Sequence, residues 1–170
     1  EDVAAASGAV EVEELRQAVR QAKAVLFEAR EERIKPGRDE KMLAAWNGMM
    51  LAAFAEAARV FDDDRYRQIA EGNAHFLLTE LSMADGRLYR THKRLADGAG
   101  QSELNGYLED YASVIDGLIA LYQTTFDPHW FGQAQRLAEH VLAHFFDSAG
   151  GFFDTSDDHE ALITRPRNMQ

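Results

Sequence analysis

The chain has 170 residues, 46% of them hydrophobic, and a formal net charge of −11, enough material for one domain with a real core. Its acidic residues are spread along the chain and oppose phosphate backbones and anionic lipid, so neither nucleic acid nor a membrane is an expected partner. Cysteine is absent, which removes disulfides, thiolate catalysis and thiolate metal sites within the chain and fits a reducing, cytoplasmic setting.

The N-terminal EDVAAASGAVEVEE has neither the basic start nor the long apolar stretch of a signal peptide. Residues 11–33 then place Val12, Leu15, Val19, Ala22 and Leu26 at steps of three and four, predicting a helix that Pro36-Gly37 ends. A second helix is predicted over 40–60. It is rich in Ala, Gly and Met and apolar almost all round, as an element packed on both sides would be. Near its start stands Trp46-Asn47-Gly48, where a core helix would prefer Leu or Ala. A third helix, 64–82, carries Arg, Gln, Glu and His on one face. GRLYRTHK (86–93) begins with glycine and alternates a little, which reads as a small hairpin or extended loop. A second apolar helix follows over 105–125, then a second half-polar helix over 128–147. GGFFDTSD (150–157) forms a second extended segment.

Sliding the chain against itself by 64 residues aligns these pieces: Gly86 falls on Gly150, Tyr89 on Phe153, Thr91 on Thr155, Tyr66 on Trp130 and Ala70 on Ala134. The unit is helix, turn, helix, extended loop. It is longer than the roughly 33 to 47 residues of common helical solenoid repeats, and it suits an all-α, partial α/α toroid in which hairpins of inner and outer helices close a ring. The apolar helices are expected to be inner and the half-polar ones outer. One helical domain, 1–170, is expected as a fragment of a larger ring, or as an open arc that covers its raw edges by self-association.

In that topology each extended loop leads to the N-terminal end of an inner helix. Asp39, Lys41, Trp46, Asn47, Arg87, Tyr89, Arg90, His92, Asp110, Tyr111, Phe153 and Asp154 are therefore expected at one mouth, where rings can stack and charges can meet hydroxyls. Asp110, an acid inside an apolar stretch, is the expected general acid or base, with Asp39 or Asp154 as the second carboxylate that glycoside hydrolysis needs. Arg87 and Arg90 are the expected anchors, and Trp46 and Tyr111 the stacking platform. His92 is the histidine at the mouth, and Asn47 and Asp154 add polar contacts. Structural alternatives stand beside these: Asp39 as a helix cap, Trp46 as a gap filler, Asn47 and Gly48 for close helix approach, Asp110 in a buried ion pair with Arg87 or Arg90. His140 and His144 have the i, i+4 spacing of metal ligands, but no third ligand is evident and a solvated outer face is expected. No cofactor motif is present.

The ordered set Arg33, Pro36, DEKMLAAWNG, RLYR, LEDYA, GLIALYQTTFD, GGFFDT and LITRP, from about residue 12 to the end, resembles the C-terminal helical region of the spermatogenesis-associated protein 20 family, whose bacterial relatives are called thioredoxin-domain-containing proteins. The resemblance implies a thioredoxin-like domain followed by an α/α toroid similar to six-hairpin glycosidases and N-acylglucosamine 2-epimerases. The chain holds no CxxC, so the thioredoxin-like domain lies outside it. Asp39, Lys41, Trp46, Asn47, Arg90, Asp110 and Tyr111 are the positions carried over. The implied ligand is a small-molecule sugar, to be bound or processed by an epimerase- or hydrolase-like site. The alternative is a non-catalytic scaffold for the rest of a toroid or for a tethered thioredoxin-like domain.

Overall fold

A computed structural model describes residues 11–95, 97–159 and 163–167, which divide into two units at Asp39 and Glu40. In the first unit α1 (Val12–Glu31) follows the predicted helix closely. Glu13 and Glu14 in its first turn and Arg30 in its last complement the helix dipole. Glu13 pairs with Arg20 at 2.9 Å, an exposed contact worth at most about 1 kcal/mol.

The second unit runs β1 (Met42–Leu43), α2 (Ala44–Phe61), α3 (Asp64–Glu80), β2 (Tyr89–Arg94), β3 (Gly100–Asn105), α4 (Leu108–Thr125) and α5 (Pro128–His144). Helices α4 and α5 reproduce α2 and α3 at a spacing of 64 residues at both ends of each helix. The local devices repeat as well. Asp63 and Asp127 cap the outer helices by accepting the backbone N–H two residues on. Asp62 and Phe126 end the inner helices in the left-handed conformation, with φ of 48° and 57°. Gly86 and Gly150 turn the chain after each outer helix at φ of 86° and 101°, where only glycine avoids strain. Single bridges, Ser82 to Leu88 and Phe146 to Phe152, close the two turns.

Two expectations are corrected. The inner helices begin later than periodicity alone predicts, at Ala44 and Leu108, because Met42–Leu43 and Asn105 belong to strands. Those strands form a three-stranded antiparallel sheet, ordered β1-β2-β3, with Met42 opposite His92 and Tyr89 opposite Asn105. GQSELN carries no sequence signal of a strand, being short and polar with no buried face to impose a period of two. The apolar girth of α2 is also not fully covered, since Trp46, Met49, Met50 and Val60 along one stripe are exposed within this chain.

Between the inner helices the backbones nearly touch. A Cβ built on Gly48 would lie 2.5 Å from the Ser113 carbonyl carbon, and one on Gly117 would lie 2.7 Å from the Gly48 oxygen. Thr124 Oγ1 crosses the same interface to the Ala55 oxygen at 3.0 Å. Leu51, Val114, Leu118 and Leu121 fill the layer behind, against Ala70, Ala74 and Leu77 of α3 and Trp130, Ala134 and Leu137 of α5. Each fully buried Leu or Val contributes about 1.5–3 kcal/mol. The alanines let the outer helices approach. Among the described residues no helix is long and apolar enough to cross a membrane.

Gly48→Ala and Gly117→Ala are each expected to lower stability by about 1–3 kcal/mol through overpacking. Gly132→Ala in α5, where the added carbon meets nothing within 4 Å, should instead gain up to about 1 kcal/mol from helix propensity. Urea denaturation of the three variants checks this, and a similar shift in all three would refute the close approach.

Candidate ligand site at the inner-helix N-termini

A helix start leaves backbone N–H groups without partners. Neither inner helix carries Ser, Thr, Asp or Asn at its N-cap, which is Leu43 for α2 and Tyr107 for α4. Asp110, in the first turn of α4, serves both. Its Oδ2 accepts the Tyr107 N–H at 2.8 Å, and its Oδ1 accepts the Ala45 N–H of α2 at 2.9 Å. Arg90 of β2 brings Nη1 to Oδ2 at 3.1 Å. The carboxylate is 1% exposed. Burial pushes its pKa up from the usual range, against the downward pull of the Tyr107 N–H, the Arg90 charge and the Ala45 N–H.

Arg90 reaches onward from this buried joint to the surface. Its Nη1 lies 2.8 Å from Glu109 Oε1, and its guanidinium carbon sits 4.2 Å above the Tyr107 ring. The Glu109 side chain is 61% exposed. Tyr107, Leu108, Glu109, Ala112, Asp154, Thr155 and Pro166 line a cleft of about 480 Å³. Its far wall is tied to the helix start, because Asp154 accepts the Leu108 N–H through its backbone oxygen and donates its own N–H to the Pro166 oxygen, both at 2.9 Å. Thr155 Oγ1 is buried at this wall with no hydrogen-bond partner.

The structure thus gathers Arg90, Asp110 and Asp154 around one helix end. Trp46 stands on the first turn of neighbouring α2, 67% exposed, at the position 64 residues before Asp110. Asn47 is spent on the fold: its Nδ2 donates to the Leu43 oxygen and its backbone oxygen accepts from Asn73 Nδ2. Arg87 lies with other partners, Asp85 at 2.8 Å and Asp158. His92 is 3% exposed, with Nδ1 2.9 Å from Ser102 Oγ and its ring edge-on to Phe76. Tyr111 is 2% exposed; its hydroxyl accepts the Leu88 N–H at 3.0 Å and its ring stacks on His140 at 5.2 Å. His92 and Tyr111 therefore face the interior instead of the mouth. Asp39 belongs to the N-terminal unit.

Two cleft residues escaped sequence reasoning. Tyr107 reads as one more residue of the predicted 105–125 helix and Glu109 as the unremarked neighbour of Asp110, yet they sit on the open side of the turn whose other side buries Asp110 and Tyr111. The solvated reading of the histidine pair also fails for His140, which is half-buried against Tyr111 with Nε2 buried and unpartnered. Burial, and then the His144 charge, lower its pKa.

Asp110→Asn puts an amide donor where N–H donors already converge and leaves Arg90 without its buried partner; chemical denaturation should show a loss of about 3–5 kcal/mol. A loss below about 1 kcal/mol would refute the joint. Burial raises the Tyr111 pKa to about 12 from 10.0. A raised folded-state pKa gives stability that is whole below pH 10 and lost as pH climbs through about 12, a span worth about 3 kcal/mol. Tyr111→Phe should remove that part of the alkaline decline, which unfolding curves measured from pH 9 upward would reveal.

Over 160 residues the chain is 36% identical to spermatogenesis-associated protein 20 of Homo sapiens, a match covering 92% of this chain and 20% of that protein. The chain spans about a fifth of the length of the curated relatives it matches. No protein-family model matches it. Among solved structures, cellobiose 2-epimerase of Spirochaeta thermophila superposes with a TM-score of 0.63 at 16% identity, over 78% of this chain and 33% of that one. A GH76 α-mannanase of Bacteroides thetaiotaomicron gives 0.60 at 16% identity, over 72% and 34%. At these identities the likeness is one of fold. The chain is a homologue of one stretch of spermatogenesis-associated protein 20, built on the helical hairpins of an α/α toroid.

Proposed function

We propose that the Tyr107–Glu109 cleft is part of the carbohydrate-binding mouth of an α/α-toroid domain. The observation that carries this reading is the exposed Glu109 carboxylate, clamped by Arg90 beside the Tyr107 ring, in a cleft of about 480 Å³, a size that suits a small polar ligand. The named activities of the structural neighbours, epimerisation of cellobiose and cleavage of mannan, support a sugar as that ligand. Tyr107 offers a ring to the C–H face of a pyranose, with Trp46 of the adjacent helix as a second ring. Glu109, Asp154 and the Thr155 hydroxyl offer hydrogen bonds to sugar hydroxyls. Asp110, enclosed by three donors, acts as a positioning residue that sets Arg90 and both helix ends. Glu109 is then the carboxylate able to exchange a proton with a ligand.

A specific observation favours a second reading, a non-catalytic scaffold. The Asp110 carboxylate is fully enclosed, and Glu109 is held by the same Arg90 that holds Asp110, so both acids of this helix start are engaged in the fold. Here the cleft docks a partner, either further hairpins or a tethered thioredoxin-like domain.

Titration calorimetry of the chain against mannose, glucose and cellobiose distinguishes the two. The sugar reading expects saturable heat, weakened about tenfold by Tyr107→Ala and by Glu109→Gln. Loss of a sugar C–H proton to deuterated solvent, followed by NMR, would add processing to binding. No saturable heat from any of the three, with circular dichroism unchanged, would leave the scaffold.

A further inference from the structure

A second group of titratable side chains lies at the C-terminal end of α5, and its residues are not those of the cleft. His144 stands in the last turn, with Nδ1 2.8 Å from Asp157 Oδ1. Asp158 follows, and one ligand atom from each of the three residues lies within 4.8 Å of the other two. The geometry points to a site for a divalent first-row transition-metal ion formed by His144, Asp157 and Asp158.

The acidic segment is held in place by its own backbone. The Asp157 N–H donates to the His144 oxygen at 2.9 Å, which docks the segment on the end of α5. Arg165 Nη2 ties the same His144 oxygen to the Thr155 oxygen. The buried Ser156 hydroxyl hydrogen-bonds the Asp158 carboxylate. Only side-chain rotation is left to a binding event, because ligands about 2.0–2.2 Å from one ion lie within about 4.4 Å of each other. One imidazole nitrogen and two carboxylate oxygens, with water completing the shell, suit zinc or manganese better than a soft, thiolate-seeking ion. All three side chains reach solvent.

The surroundings agree. Arg87, shared with Asp85, is the cation that faces Asp158. It neutralises one of three local carboxylates and leaves a negative site. One turn before His144, the His140 ring lies 4.4 Å from the His144 ring, and its Nε2 is buried without a partner. Such an atom is what an ion or its bound water would satisfy. The pair His140 and His144 lacks a third ligand in linear order; the segment that follows the Phe146–Phe152 bridge supplies two.

Zinc chloride titrated into the chain by calorimetry tests the site. One ion per chain is expected, with a rise in the unfolding temperature because binding favours the folded state. His144→Ala and Asp158→Asn should each weaken binding about tenfold or more, and the same-size Asp157→Asn should do so even where His144→Ala disturbs the helix end. Arg87→Met should tighten binding by freeing Asp158, which removal of a merely structural contact would not do. His129→Gln, at the other end of α5, should leave it unchanged. Absence of saturable binding, binding indifferent to His144→Ala and Asp158→Asn, or weaker binding in Arg87→Met would overturn the assignment.

Discussion

The unit from Glu40 onward depends on one buried carboxylate. Two helix starts, neither with Ser, Thr, Asp or Asn at its N-cap, turn N–H groups toward Asp110, and Arg90 completes the shell from the sheet. An ionised carboxylate at 1% exposure would be costly alone. Here the positive ends of two dipoles and a guanidinium offset part of the desolvation, and burial still raises the carboxyl's pKa. The same contact sets the relative height of α2 and α4, because it joins the second helical residue of one to the first turn of the other.

Along the helices that register is continued without side chains. Gly48 and Gly117 let the backbones meet, and the layer of alanines behind them lets α3 and α5 close in. Slipping either inner helix by one residue would put a side chain where backbone now lies and pull Asp110 away from Ala45. Polar cap and glycine contact therefore select the same alignment. Trp46-Asn47-Gly48 is explained by that alignment: Gly48 meets α4, Asn47 bonds its own turn and receives Asn73, and Trp46 stays on the open side.

Burial separates the roles of adjacent acids. Glu109 and Asp110 are neighbours in sequence, yet the turn of α4 points one out and one in. Arg90 touches both, so the structural joint and the exposed carboxylate of the cleft share a single cation. Anything that moves the helix starts apart also moves Glu109 against Tyr107. The histidines divide in a similar way. His140 packs on Tyr111, whereas His144 reaches Asp157 at the end of the helix.

The sequence by itself determined the two hairpins and their 64-residue spacing, because a helix with one or two buried faces writes its period into the chain and Gly86 and Gly150 mark the turns. It also pointed to Asp110, Arg90 and the helix mouth, since an acid in an apolar run needs a partner. Only the tertiary structure decided which arginine that partner is. Arg87 and Arg90 are equivalent as text, but one turns to Asp85 and Asp158 and the other to Glu109 and Asp110. It alone placed Tyr111 and His92 inside and Tyr107 and Glu109 outside. It alone revealed β3, whose polar residues carry no buried face, and brought Asp157 and Asp158 to His144. Those outcomes rest on distances between segments remote in the chain, and no local pattern of side chains encodes such distances.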